Sequence, residues 1–228
     1  MKKFTYLLMT VIVAFSSCSK DDESGSVTLS LTGVNQTLKS GENSLVADVK
    51  ITDFKLSFRD VEFKLDESDL SSTEVQFRGP YDVDLMSETD ALSQTIGTID
   101  IPDGTYKVLR FKLHKDMDRL ETDPLYDRSL YMTGIIDGTP FEFWHDTSEN
   151  FDFEYTGGIV VSGNNVEINV KFVIDQFLNS LHTIDLSQAI DEDEDGIIKI
   201  NPDDEDGNGD IADKLKENIK EAADLIKL

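Results

Sequence analysis

Between Val27 and about Val173 the chain alternates apolar and polar residues with a period of two, and no helical pattern interrupts the run. That period puts successive side chains on opposite faces of a strand, so one face can be buried while the other stays wet. Val27, Leu29 and Leu31 alternate with Thr28, Ser30 and Thr32. In "LVADVKITDFKLSFRDVEFKL" the apolar set runs through Val49 and Ile51, then Phe54, Leu56 and Phe58, then Val61, Phe63 and Leu65. The phase slips by one residue twice, and each slip requires a bulge or a bend if all three sets are to face one core.

Turn signals punctuate the alternation. Gly79-Pro80 marks a bend, and Pro102-Asp103-Gly104 forms a turn ahead of a strand carrying Tyr106, Val108, Phe111 and Leu113. Asp137-Gly138 suits a two-residue type I′ hairpin, in which both positions need positive φ. Gly163-Asn164-Asn165, between two β-branched runs, predicts a second hairpin. These signals predict a mainly β fold: an antiparallel β-sandwich of immunoglobulin or transthyretin-like type over residues 27–180. At 228 residues the chain supports one main domain with appendages. Residues 181–228 then read as an acidic segment and a C-terminal helix, with Ile211, Leu215, Ile219, Ala222 and Ile226 at helical spacing and Asp210 able to cap the start.

The acidic segment carries the densest chemical signal. Between residues 185 and 213 there are twelve acids and a single base, Lys199. "DEDEDGII" places Asp191, Asp193 and Asp195 at positions one, three and five of an EF-hand-like loop, with Gly196 at six and Ile198 at eight. Thirteen residues later Asp204, Asp206, Asn208, Gly209, Asp210 and Ile211 repeat the arrangement. Calcium takes about six to eight oxygen ligands, and alternating carboxylates can converge on one ion where glycine permits the sharp turn. Position twelve, a glutamate in a full EF-hand, is Pro202 in the first copy and Leu215 in the second, so Asp203, Asp204 or Asp213 would have to close the sites. The competing reading is a solvated acidic linker, whose unscreened carboxylates repel one another and leave it disordered.

With 46 acids against 21 bases and a net charge of -25, the chain has no basic stripe to attract phosphates, which excludes nucleic acid as a partner. No nucleophile elbow, phosphate-cradling glycine loop, HExxH or CxxC pair occurs. On "TPFEFWHDT", Phe141, Phe143 and His145 point one way and Glu142, Trp144 and Asp146 the other. Trp144 is therefore a candidate ligand-binding residue, its ring able to stack on a sugar or hold a cation, against the plainer alternative that it covers the sheet. His114 and His182 lack partners at ligand spacing and read as structural.

The N-terminal stretch reads as targeting. Lys2 and Lys3 precede an apolar run from Phe4 to Phe15 that is too short to span a bilayer. Phe15-Ser16-Ser17-Cys18 then resembles the lipobox of bacterial lipoproteins, with Phe and Ser where Leu and Gly or Ala are commonest. The resemblance implies a signal peptide over residues 1–17 and a mature chain starting at Cys18, the only cysteine, which would carry a diacylglycerol thioether and usually a third acyl chain on its amine. Two or three chains anchor stably, at about 0.8 kcal/mol per buried methylene. The tether over residues 18–26 contains Ser19-Lys20-Asp21-Asp22-Glu23, which resembles the export signal of Bacteroidota-type surface lipoproteins and implies display on the outer leaflet.

Further along, "VKITDFKLSFRDVEF", "YDVDL", "IDIPDGTYKVLRFKL" and "VEINVKFVIDQFL", within roughly residues 27–180, together resemble an uncharacterised domain of bacterial surface lipoproteins whose hallmark is a proline-glycine-tyrosine turn followed by a strand. The layout is also similar to that of methanobactin-partner-like copper-binding lipoproteins, a closing "IADKLKENI" helix included. Their tryptophan- and histidine-rich metal signatures are not matched by one Trp and three His, so copper does not follow.

The expectation is a lipid-anchored, surface-exposed, non-catalytic binding lipoprotein of the outer membrane, with calcium as its cofactor and a glycan or a neighbouring envelope protein as its partner. The alternatives are a structural component of an envelope complex, or a glycan-active enzyme with two carboxylates about 5 or 6.5–9.5 Å apart across a cleft. A Cys18→Ser chain is expected to take up no labelled palmitate and to leave the membrane fraction; a variant that still incorporates palmitate would remove Cys18 from the anchor.

Overall fold

The computed structural model describes residues 24–34, 49–65, 75–88, 90–179 and 182–227; the targeting stretch and Cys18 lie outside the described residues. The doubly slipped apolar run is one long strand, and both slips are bulges. The strands are β1 (Ser24–Val34), β2 (Val49–Lys64), β3 (Val75–Ser87), β4 (Asp90–Ala91), β5 (Ser93–Pro102) and β6 (Gly104–Leu113). They continue with β7 (Leu130–Ile136), β8 (Thr139–His145), β9 (Asn150–Val161), β10 (Asn165–Val173), β11 (Ile198–Ile200) and β12 (Ala223–Lys227). Among the described residues there are two α-helices, α1 (Ile174–Asn179) and α2 (Gly209–Asn218).

These elements form a mainly β, two-sheet sandwich. The larger sheet runs β11-β8-β7-β2-β3-β4, with β6 also pairing β2 and β9 pairing β6. Strand β2 is its spine, flanked by β3 on one side and on the other by β7 and then β6. Its register shifts against β7 between Ile51 and Asp53, and against β3 and β6 between Phe58 and Asp60, where the sequence phase slips. Each bulge returns the apolar set to the core side, so Phe54, Leu56, Phe58, Val61 and Phe63 are all fully buried.

The smaller sheet runs β12-β10-β1-β5. Its inner face carries Val27, Leu29 and Leu31 of β1 with Ile168, Val170 and Phe172 of β10. Its outer face is a ladder of hydroxyls, with Thr28 bonded to Thr98, Ser30 to Thr95 and Thr32 to Ser93. The sheets meet through aromatic rings: Phe54 of β2 stands edge-on to Phe172 of β10 at 5.2 Å, and Phe177 of α1 lies 5.1 Å from Phe54 and 5.9 Å from Phe143 of β8. At one corner the backbones nearly touch, and a Cβ on Gly33 would lie 2.0 Å from the Leu85 carbonyl oxygen, so only glycine fits there.

Asp137 and Gly138 have φ of 50° and 90° and join β7 to β8 as the predicted type I′ hairpin. The second predicted hairpin does not form. Gly163-Asn164-Asn165 instead carries the chain from one sheet to the other: β9 pairs with β6, while β10 lies parallel to β1 and antiparallel to β12. The turn is held from outside, because Asn164 O accepts from Ser26 N and Gly163 N donates to Asp103. A turn between two β-branched runs says that two strands flank it and leaves open whether they pair. Pro102-Asp103-Gly104 is likewise a passage between sheets, fastened by the buried Tyr106 hydroxyl donating to Pro102 O at 2.8 Å.

Among the described strands two pairings, β1 with β10 and β8 with β11, are parallel and the rest antiparallel. The predicted C-terminal helix is present but short. It ends at Asn218, a tight turn follows over Ile219–Glu221, and the stretch containing Ile226 is strand β12 on the edge of β10. Asn218 explains the stop: its buried side chain donates to Phe177 O and His182 O and accepts from His182 N. The open backbone groups of β10 are then satisfied by the strand that follows. Residues 182–227 therefore give an edge strand to each sheet.

Phe54→Ala is expected to cost about 3–5 kcal/mol, by removing a ring that fills the space between sheets. Leu120→Ala, at a residue 77% exposed, should stay within about 0.5 kcal/mol. Denaturant titration of the two variants separates these outcomes.

Candidate metal centre

The acidic segment attaches to the sandwich through β11. Ile198 and Ile200 pair in parallel with Phe141 and Phe143 of β8 and are buried, so the isoleucine at position eight of the first loop fixes that loop to the sheet edge. Ahead of it the backbone curls around its own carboxylates. Asp191 accepts from the N–H groups of Asp195 (3.2 Å) and Gly196 (2.9 Å), Asp193 from Asp195 (3.1 Å), and Asp195 from Ile197 (2.9 Å). Glu194 and Gly196 take positive φ, 57° and 90°, to close the curl.

The second loop folds back over the first. Asp206 is fully buried, and its Oδ2 accepts from Lys199 N at 2.7 Å. Asn208, also buried, accepts from Ile190 N and donates to the carbonyls of Ile190 and Lys199, so one amide stitches three segments together. Asp204 accepts from Gly209 N at 2.6 Å and serves the first turn of α2. Asp210 lies exposed in that first turn, where its charge complements the helix dipole.

The consequence is one cluster where the sequence predicts two loops. Ligand oxygens of Asp191, Asp193 and Asp206 all lie within 4.8 Å of one another, a span that a single ion with oxygens at about 2.4 Å can bridge. These three residues are a set able to hold a metal ion. Asp206 Oδ1 is buried with no hydrogen-bond partner in the protein, an arrangement that costs free energy unless a cation or water answers it. Asp195, Asp204, Asn208 and Asp210 take the structural roles just described, and Asp213 lies on α2 near His145.

Lys199 supplies positive charge beside the cluster. Its Nζ lies 2.5 Å from Asp193 Oδ2 and 2.7 Å from Asp195 Oδ2. The hydrogen bond from Lys199, then that from Asp195 N, holds the Asp193 carboxyl below its ordinary range, and the two carboxylates raise the Lys199 ammonium in turn. Its singularity among twelve acids was the sequence signal for this role.

Strand β8 presents its residues as the alternation requires, with Phe141, Phe143 and His145 buried and Glu142, Trp144 and Asp146 half-buried on the other face. The Trp144 ring holds a cation from its own chain: the Arg128 guanidinium carbon lies 4.7 Å from the Trp144 centroid and 5.9 Å from that of Tyr131. Arg128 also pairs with Glu142 at 3.1 Å, and the Tyr131 hydroxyl donates to Glu142 at 3.3 Å. Burial, then the Glu142 charge, pushes the Tyr131 phenol up to about 12.

Comparison with protein-family models, with curated proteins and with solved structures gives no match for this chain.

His145 faces α2 with both ring nitrogens buried and without hydrogen-bond partners; Asp146 and Asp213 oxygens stand 3.6 and 3.7 Å away. Burial, reinforced by the charge of Lys216, lowers its pKa against the opposing pull of Asp146 and Asp213. The unfolded chain therefore binds this proton more readily than the folded one. Stability is full above the unfolded value of about 6.5 and falls as pH drops from there to the lower folded value. Urea midpoints measured between pH 8 and pH 5 should show that decline, and His145→Phe should flatten it.

Proposed function

We propose that this chain is a lipid-anchored, non-catalytic binding lipoprotein of the outer membrane, displayed at the cell surface, with a single calcium site made by Asp191, Asp193 and Asp206. The observation that carries the metal reading is the buried, unpartnered oxygen of Asp206 beside two further carboxylates. Calcium fits the donor set better than softer metals, because the ligands are all carboxylates. Three carboxylates give about three to six oxygens, and exposed Asp193 leaves room for water to complete the shell. The anchor rests on Phe15-Ser16-Ser17-Cys18, and outward display on the lysine and acids that follow.

In this reading the ion is structural. It ties the loop before β11 to the loop before α2, and through them the last edge strand of each sheet. The outward faces of the sandwich then serve a glycan or a neighbouring envelope protein.

Calorimetric titration of the full chain in mild detergent is expected to show saturable calcium binding at one site. At a calcium concentration a hundred times Kd the stabilisation should be about 2.7 kcal/mol, a rise of about 5–10 °C in melting temperature that chelator reverses. Asp206→Asn, nearly isosteric and still able to accept from Lys199 N, should abolish the rise while remaining folded. Heat-free titration with no shift in melting temperature would leave the segment without a metal role.

A further inference from the structure

Resting on the calcium reading above, we propose that Lys199 is the resident counter-ion of the metal site and sets its affinity, because its ammonium and the ion compete for the Asp193 carboxylate. Three observations converge on this residue. Its Nζ lies 2.5 Å from Asp193, a member of the cluster, and 2.7 Å from Asp195, which the sequence pattern predicts as a ligand but which the ammonium engages instead. Its backbone N–H donates to Asp206 Oδ2, the oxygen beside the unpartnered one, and its carbonyl accepts from Asn208. It is the only base among residues 185–213. One residue thus joins both acidic loops through its main chain and offsets the charge of the first through its side chain.

Its placement gives the ammonium a different task from that of a surface ion pair. Three carboxylates within 4.8 Å of one another repel unless a positive charge sits among them. The tether from β11 keeps the amine beside the cluster, so the loops stay assembled without metal. A divalent ion entering among Asp191, Asp193 and Asp206 takes one of the amine's two carboxylates and meets its repulsion at short range. Binding therefore releases Lys199 from Asp193 and leaves it on Asp195 or in water. The device weakens the site and narrows the difference in order between the two states, as suits a site exposed to abundant calcium, where extracellular modules bind at about 10⁻⁴–10⁻³ M.

Calcium titrations of the full chain and of Lys199→Met in mild detergent test this, with Lys199→Arg as the charge-conserving control. The methionine variant is expected to bind calcium roughly tenfold more tightly, to melt lower in chelator, and to show a larger calcium-induced rise; the arginine variant should stay near the parent. Labelling the parent with an amine-reactive reagent should modify Lys199 faster once calcium is added, a readout that needs no variant to fold. If the parent binds calcium while Lys199→Met binds it equally or more weakly, and labelling is unchanged, the counter-ion role is overturned and the calcium site stands. If neither chain binds calcium, both fail.

Discussion

The structure depends on the apposition of two sheets through a small set of aromatic rings. Phe54 comes from the spine of the larger sheet, Phe172 from the centre of the smaller one, and Phe143 from the strand that receives β11. Phe177, on the short helix leaving β10, touches all three. Each sheet alone would expose a continuous apolar face, and burying the two faces together supplies the main driving force for the fold. The bulges in β2 follow from the same requirement, since without them the apolar residues on either side of each slip could not share the interface.

The acidic segment is fastened to that interface at both ends. It leaves α1 through buried Ile184 and Leu186, adds β11 to one sheet, and passes through the carboxylate cluster into α2. Buried Ala212, Leu215, Ile219 and Ala222 carry it along the core before β12 closes the other sheet. A charge-dense stretch is thereby held by apolar anchors on both sides. Its carboxylates are ordered by backbone N–H groups and by Lys199, while Asn208 fastens the main chain around them.

Both halves of the candidate site were legible as repeats, with their aspartates, glycines and isoleucines in register. Their union into one cluster was not legible, because it depends on how β11 turns the second loop back over the first. Periodicity places Asp206 third in its own loop, yet one of its carboxylate oxygens lies within 4.8 Å of oxygens of Asp193 and Asp191, thirteen and fifteen residues earlier in the chain. Trp144 shows the same limit: alternation gave its face, but the cation on its ring is Arg128, from the loop before β7. His145 was assigned to the buried side by alternation alone, and the helix opposite it could not be.

What the sequence by itself determined is what local geometry dictates. Period-two alternation gave the strands and their buried faces, the two phase slips gave the bulges, and Asp137-Gly138 gave a hairpin through its positive φ angles. Only the tertiary structure decided which strands pair, because backbone hydrogen bonds are indifferent to sequence and partners are chosen by whichever edges the packed sheets leave open. For that reason Gly163 turns the chain between sheets, and helical spacing near Ile226 gives way to a strand on β10. The same packing brings two acidic loops to a single centre.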